Sequence, residues 1–305
     1  MKGKRSNGAP KRVRLTGSDI IFYASAGIII GFLFLITAYP IILVLSSSFS
    51  DRMAVLSGRV VLWPMGFSLE GYVAVFKYPE ILLGYRNTIF YTATGTFVNI
   101  FVTMIAAYPL SRSGWYGKKV VSFAFIFTMF FSGGMIPVYL QIRNLGLLNS
   151  VWAMILPGAI SIYNMIIART FIQNTIPKEL FESAKIDGSS EFRCFLSIVL
   201  PLSKAVIAVL VLYYAVGHWN AYFNAFIYLS KRELYPLQIF LREILIANSV
   251  EMNPFLDDEA MAYYQGMYDL LKYALIVVAT APIICVYPFI QKYFVKGVMI
   301  GSVKG

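Results

Sequence analysis

No Asp, Glu, Lys or Arg falls in the middle of any of the six long apolar runs in this 305-residue sequence, and His218 is the only histidine. Carriers that couple a solute to an ion commonly keep charged groups near the bilayer midplane. That absence lowers the class, although sodium held by carbonyls and hydroxyls needs no such group. Cysteine is nearly missing too. Cys194 and Cys285 lie in different segments, which supports neither a disulfide framework nor a metal-ligand cluster. The sequence contains no G-x-x-x-x-G-K-[ST] phosphate loop, no zinc-ligand spacing and no plausible Ser-His-Asp arrangement. It is therefore not expected to be an enzyme, to bind metal or a cofactor, or to hydrolyse ATP itself. Charged residues make up only 13% of the chain, about half the usual share in soluble domains.

What the chain has instead is apolar length. Six segments reach the roughly 20 residues needed to cross the hydrocarbon core: about 20–46, 88–110, 120–140, 151–172, 205–229 and 270–290. The expected fold class is an all-α integral membrane protein with six transmembrane helices. Lys2, Lys4, Arg5, Lys11, Arg12 and Arg14 make residues 1–19 a basic tail. The run that follows is too long for a signal-peptide core, so an uncleaved first span is expected. With the N-terminus inside, 17 of the 26 Lys and Arg fall in the inner segments 1–19, 111–119, 169–204 and 291–305. Net charge is then +12 inside and −1 outside, as the positive-inside rule expects. Both termini are expected in the cytoplasm. The overall charge of +11 reads as a topology signal, and nucleic acid is not expected as a partner. The outer loops are 47–87 and 230–269. The second is acidic and aromatic, with Glu251, Asp257, Asp258, Glu259, Tyr263 and Tyr264.

The inner segment 177–202, PKELFESAKIDGSSEFRCFLSIVLPL, looks out of place among these runs. Pro177 suits a helix start, and Lys178 to Ile186 has helical composition with Leu180, Phe181 and Ala184 sharing one face. Asp187-Gly188 is a turn pair in which Gly188 can take positive φ. Ser189 or Ser190 can cap a second helix, and Glu191 suits its first turn. That helix is expected to run through Phe192, Phe195 and Ile198 to Leu200-Pro201, where the fifth span is entered. An amphipathic helix lying on the membrane is one reading. The balance of Glu179, Glu182, Asp187 and Glu191 against Lys178, Lys185 and Arg193 favours a protein partner, because a binder of anionic lipid would be more basic.

Glu182-Ser-Ala-Lys-Ile-Asp-Gly188 followed by Phe195-Leu-Ser-Ile-Val-Leu-Pro-Leu202 resembles the EAA loop of binding-protein-dependent ABC importer permeases. That pattern reads E-A-A-x-x-D-G-A, then F-x-x-I-x-L-P-L. Ser183 and Ser189 depart from it, and both are small. Trp219-Asn220 resembles the WN pair of carbohydrate-type permeases. The end from Tyr287 to Gly305 is similar to the tail of maltose "G"-type permeases, in the version of a subgroup serving oligosaccharides from complex polysaccharides. The resemblance implies a type I ABC importer permease fold in the inner membrane of a bacterium. It implies a related six-span permease as heterodimer partner, two cytoplasmic ATPase subunits that bind ATP and Mg, and an extracytoplasmic solute-binding protein facing loop 230–269. It also implies an ATPase-coupling helix at 178–190 carrying Glu182, Ser183, Ala184, Asp187 and Gly188, with Glu182 making the polar contact and Gly188 the turn. Tail 292–305 would lie near the ATPase. The organisation that follows is a tail (1–19), a first span with its outer loop (20–87), a permease core (88–291) and a C-terminal tail (292–305).

Sugars are held by aromatic faces, amides and hydroxyls. Inside the runs these are Tyr91, Asn99, Tyr163, Asn164, Trp219, Asn220, Tyr222 and Asn224. They are candidates for a solute path, with interhelical hydrogen bonding as the alternative for each. Asn164 and Asn220 are expected to face the bundle interior, since lipid would penalise them. His218 is expected to be a packed histidine, and Gly27 and Gly31 match a small-residue packing motif. Alternatives left open are an ABC permease for a non-sugar solute, a secondary sugar transporter and, more remotely, a membrane-bound enzyme.

Overall fold

The computed structural model describes residues 16–114, 116–247 and 258–302. The basic residues of 1–15, the acidic and aromatic side chains at 251–264 and the side chains of tail 292–305 lie outside what it describes. Helices follow in order: α1 (Gly17–Ser48), α2 (Arg52–Leu56), α3 (Glu70–Phe76), α4 (Pro79–Ser111), α5 (Lys118–Phe130), α6 (Met135–Asn144) and α7 (Trp152–Gly158). After them come α8 (Ile162–Thr175), α9 (Lys178–Ile186), α10 (Glu191–Leu202), α11 (Lys204–Trp219), α12 (Tyr222–Tyr228), α13 (Leu237–Ala247) and α14 (Asp258–Ser302). Among the described residues there is no strand.

Among the described residues, three single helices are long and apolar enough to span: α1, α4 and the Gln265–Val286 stretch of α14. The other three expected spans are bent pairs: α5 with α6 at 114°, α7 with α8 at 55°, and α10 with α11 at 80°. Six spans result if each pair is one crossing. The expected runs 120–140 and 151–172 are therefore each broken by a bend, and 205–229 is not one helix. The first breaks at Ser132-Gly133-Gly134, where Gly134 has φ 86°. The third ends at Trp219 rather than 229, because Asn220 turns its amide back onto the Val216 carbonyl (3.0 Å) and the chain restarts at Tyr222. The second span also starts earlier than expected, with Pro79 in its first turn, where proline costs no hydrogen bond.

The core has two main parts, and α4 runs through both. One holds Met104, Tyr108, Met165, Ile172, Phe181, Phe195 and Leu210, from α4, α8, α9, α10 and α11. The other holds Val75, Ile81, Trp219, Leu237, Phe240 and Leu275, from α3, the other end of α4, α11, α13 and α14. Along α1, Ile21, Phe22, Ile28, Phe32 and Phe34 are exposed, and only Ser46, Ser47 and Ser48 are buried. Such an outward apolar surface fits a helix whose solvent is lipid. Gly27 and Gly31 of α1 face open space in the single chain.

Candidate coupling helix and solute path

The α9 helix stands between two bent spans with one face anchored and the other free. Glu179 lies in its first turn and Lys185 in its last, both favourable to the helix dipole. Its end is a Schellman turn: Ser189 N–H reaches the Ala184 carbonyl (2.9 Å) and Gly188 N–H the Lys185 carbonyl (3.1 Å). Gly188 supplies the required left-handed conformation, with φ 74°. Ser190, not Ser189, caps α10 by accepting from Arg193 N–H (3.3 Å).

Phe181 anchors the inner face. Its ring is 5% exposed, lies 6.3 Å from the Tyr108 ring and carries the Arg112 guanidinium 3.9 Å above its centroid. The Tyr108 hydroxyl donates to Glu191 Oε2 (2.5 Å), and Arg112 Nε stands 3.8 Å from the same oxygen. Ala184 is buried beside Phe181, whereas Leu180 is 42% exposed. The inner face is thus Phe181 with Ala184, and Leu180 does not belong to it. Glu182, Ser183, Asp187 and Gly188 are exposed, as is Ile186 at 86%. Tyr108 and Arg112 escaped the sequence reading because they sit at the far end of α4, some 70 residues before the helix they hold.

The solute-path candidates divide into two groups. Tyr91 is buried and donates to the Leu234 carbonyl (2.8 Å). Asn99 donates to the Gly158 carbonyl and its Oδ1 meets His218 Nε2 at 2.6 Å. His218 is thus a packed histidine, pressed against Gly95, where an added Cβ would lie 2.4 Å from Nε2. Tyr214 hydroxyl joins Thr103 Oγ1 (2.6 Å) and accepts from Ser161 N–H (3.1 Å). Gly158 and Ser161 flank the α7–α8 bend, so side chains of α4 and α11 hold backbone groups that the bend frees. Trp219 is buried and donates to the Ala279 carbonyl (3.0 Å). Asn164 is buried, Asn224 half-buried and Tyr163 exposed.

Asn220 and Tyr222 of these candidates line one groove together, about 620 Å³ between α12, α13 and α14. Asn220 is exposed toward it rather than turned into the bundle. Gln238, Leu241, Arg242 and Leu275 complete its walls. The groove runs beside residues 275–280, inside the apolar stretch Gln265–Val286. An arginine, Arg242, thus stands beside the apolar stretch of α14. It comes from α13 in the segment expected as an outer loop, not from any apolar run.

The family profile described as binding-protein-dependent transport system inner membrane component matches residues 81–300. The chain belongs to this family. The permease is 44% identical over 281 residues to the polygalacturonan/rhamnogalacturonan transport system permease protein YtcP of Bacillus subtilis, covering 91% of this chain and 97% of the relative. It is also 44% identical over 271 residues to the protein LplC of the same organism, covering 88% and 90%. A solved bacterial ABC transporter involved in the import of the acidic polysaccharide alginate contains a chain that superposes with a TM-score of 0.84 at 32% identity, covering 93% of this permease and all of that chain. The fold is that of a type I ABC importer permease. The permease is a multi-pass transport subunit of the bacterial inner membrane and not an enzyme; it works with a partner permease, a separate ATPase and a binding protein.

Proposed function

We propose that this permease imports oligosaccharides bearing carboxylates, and that α9 receives the motion of a cytoplasmic ATPase. The substrate reading is carried by one observation. Two similar proteins, aligned over nearly their whole length, are named for polygalacturonan/rhamnogalacturonan and for alginate, which are polymers of acidic sugars. Coupling is supported by the form of α9, anchored through Phe181 and presenting Glu182, Ser183, Asp187 and Gly188 outward. In this reading both termini are cytoplasmic, a related permease completes a heterodimer, and two ATPase subunits bind the ATP and Mg. This chain then needs no cofactor of its own. A loaded binding protein meets loop 230–269, and tail 292–305 lies near the ATPase. The core 88–291 carries the path, segment 1–19 is a basic cytoplasmic tail, and segment 20–87 is the first span with its outer loop.

The test uses the assembled transporter in proteoliposomes with its binding protein. Oligogalacturonates should stimulate ATPase activity and uptake, while neutral maltooligosaccharides should not. Stimulation by the neutral sugar alone would refute the substrate reading. Glu182→Lys and Gly188→Asp should abolish stimulated uptake. Unchanged transport in both would refute the docking role.

A further inference from the structure

The groove walled by Asn220, Tyr222, Gln238, Leu241, Arg242 and Leu275 contains a charge with no ion-pair partner among the described residues. Arg242 stacks its guanidinium 4.5 Å from the Phe226 ring centroid and 5.4 Å from that of Tyr222. A guanidinium carries five N–H donors in a planar fork, and contact of its carbon with a ring does not use them as hydrogen bonds. The five ion pairs among the described residues do not include Arg242, and the adjacent Glu243 is taken by Arg232 at 3.1 Å.

An arginine beside an apolar span is costly where lipid covers it, and such residues almost always face a bundle interior or a water-filled cavity. The groove therefore opens to water or protein rather than to hydrocarbon. Its volume falls within the range of small-ligand sites. Leu241 and Leu275 line it with apolar surface; Asn220 donates from Nδ2 to the Val216 carbonyl, and its Oδ1 has no hydrogen bond among the described residues. Gln238 lies one turn before Arg242 on α13, so both reach the same wall. Aromatic face, amides and a planar cation together match a sugar ring carrying a carboxylate, which guanidinium binds through two parallel hydrogen bonds.

We propose that Arg242 receives a carboxylate of the passing oligosaccharide and sets the preference of this permease for uronic acids over neutral or esterified sugars. The inference rests on the substrate reading above. The test compares digalacturonate with its methyl ester in the reconstituted transporter, for wild type, Arg242→Gln, Arg242→Lys and Gln238→Glu. Loss of a charge-assisted hydrogen bond to the carboxylate should lower the uptake ratio of acid to ester at least about tenfold in Arg242→Gln, mainly through KM. Lysine should recover part of it, and Gln238→Glu should mimic the loss by neutralising Arg242 in place. If the wild type takes up neither probe, the substrate reading falls and Arg242 loses its ligand. If the wild type prefers the acid and all variants keep that ratio, or lose both probes equally, the assignment of Arg242 alone is overturned.

Discussion

Phe181→Ala should uncouple ATP hydrolysis from uptake while leaving the permease in the membrane. The ring is almost fully buried, clasped between Tyr108 and the Arg112 guanidinium. Removing such a ring typically costs about 3–5 kcal/mol. The α9 helix has nine residues, and isolated helices under about 12–15 residues are marginal. The loss therefore falls on the seating of α9 rather than on the spans. At the lower figure, about 3 kcal/mol, the equilibrium between seated and unseated α9 shifts by about two powers of ten. Phe181→Leu keeps an apolar plug and should cost about 1 kcal/mol. The assay is uptake per ATP hydrolysed in proteoliposomes with loaded binding protein. It should fall at least tenfold for alanine and only a few-fold for leucine. Wild-type coupling in Phe181→Ala would refute the claim that the inner face holds the helix in place.

Two further predictions concern the bundle. Gly95→Ala drives a methyl into the His218 ring, which Asn99 holds at 2.6 Å; thermal stability of the assembled transporter should fall by the equivalent of about 1–3 kcal/mol, and His218→Ala should restore part of it in the same chain, whereas simple addition of the two losses would count against the packing described. Tyr214→Phe strands the Thr103 hydroxyl and the Ser161 N–H, at about 1–3 kcal/mol; hydrogen exchange at 158–162 should quicken more than elsewhere, and unchanged exchange there would contradict the role given to Tyr214.

Local chemistry made the form of α9 legible in the sequence. Pro177, Asp187-Gly188 and the capping serines each specify a backbone conformation within a few residues, and α9 runs from Lys178 to Ile186 as their spacing implies. The bends were not legible, because hydropathy averages over some twenty residues and the Ser132-Gly133-Gly134 and Asn220 breaks occupy only two to four. Leu180 was misplaced because its neighbour Phe181, not periodicity, selects the inner face. Arg242 was missed for a different reason. Polarity marks 230–269 as an outer loop and says nothing of its packing, whereas Leu237, Phe240 and Leu241 bring α13 into the core against α4, where a Cβ on Gly84 would lie 2.8 Å from the Leu237 backbone. The solute candidates split as they did because a lone amide in a span looks the same whether it bonds a neighbouring carbonyl, as Asn99 does, or faces a groove, as Asn220 does.

The unbroken course of α4 has a mechanical meaning. Tyr108, near one end, touches the α9 anchor, and Tyr85, near the other, donates to the Val278 carbonyl beside the groove. At 1.5 Å per residue these tyrosines stand about 35 Å apart along one rod. The jointed spans around it can flex, but a rod can only tilt or slide. A tilt of about 10° about its inner end would sweep the outer tyrosine through roughly 6 Å by the same rise per residue, about the thickness of a sugar ring. If α9 receives the motion of the ATPase as proposed, a small push there would be geared up into a displacement large enough to open or shut the space around a substrate.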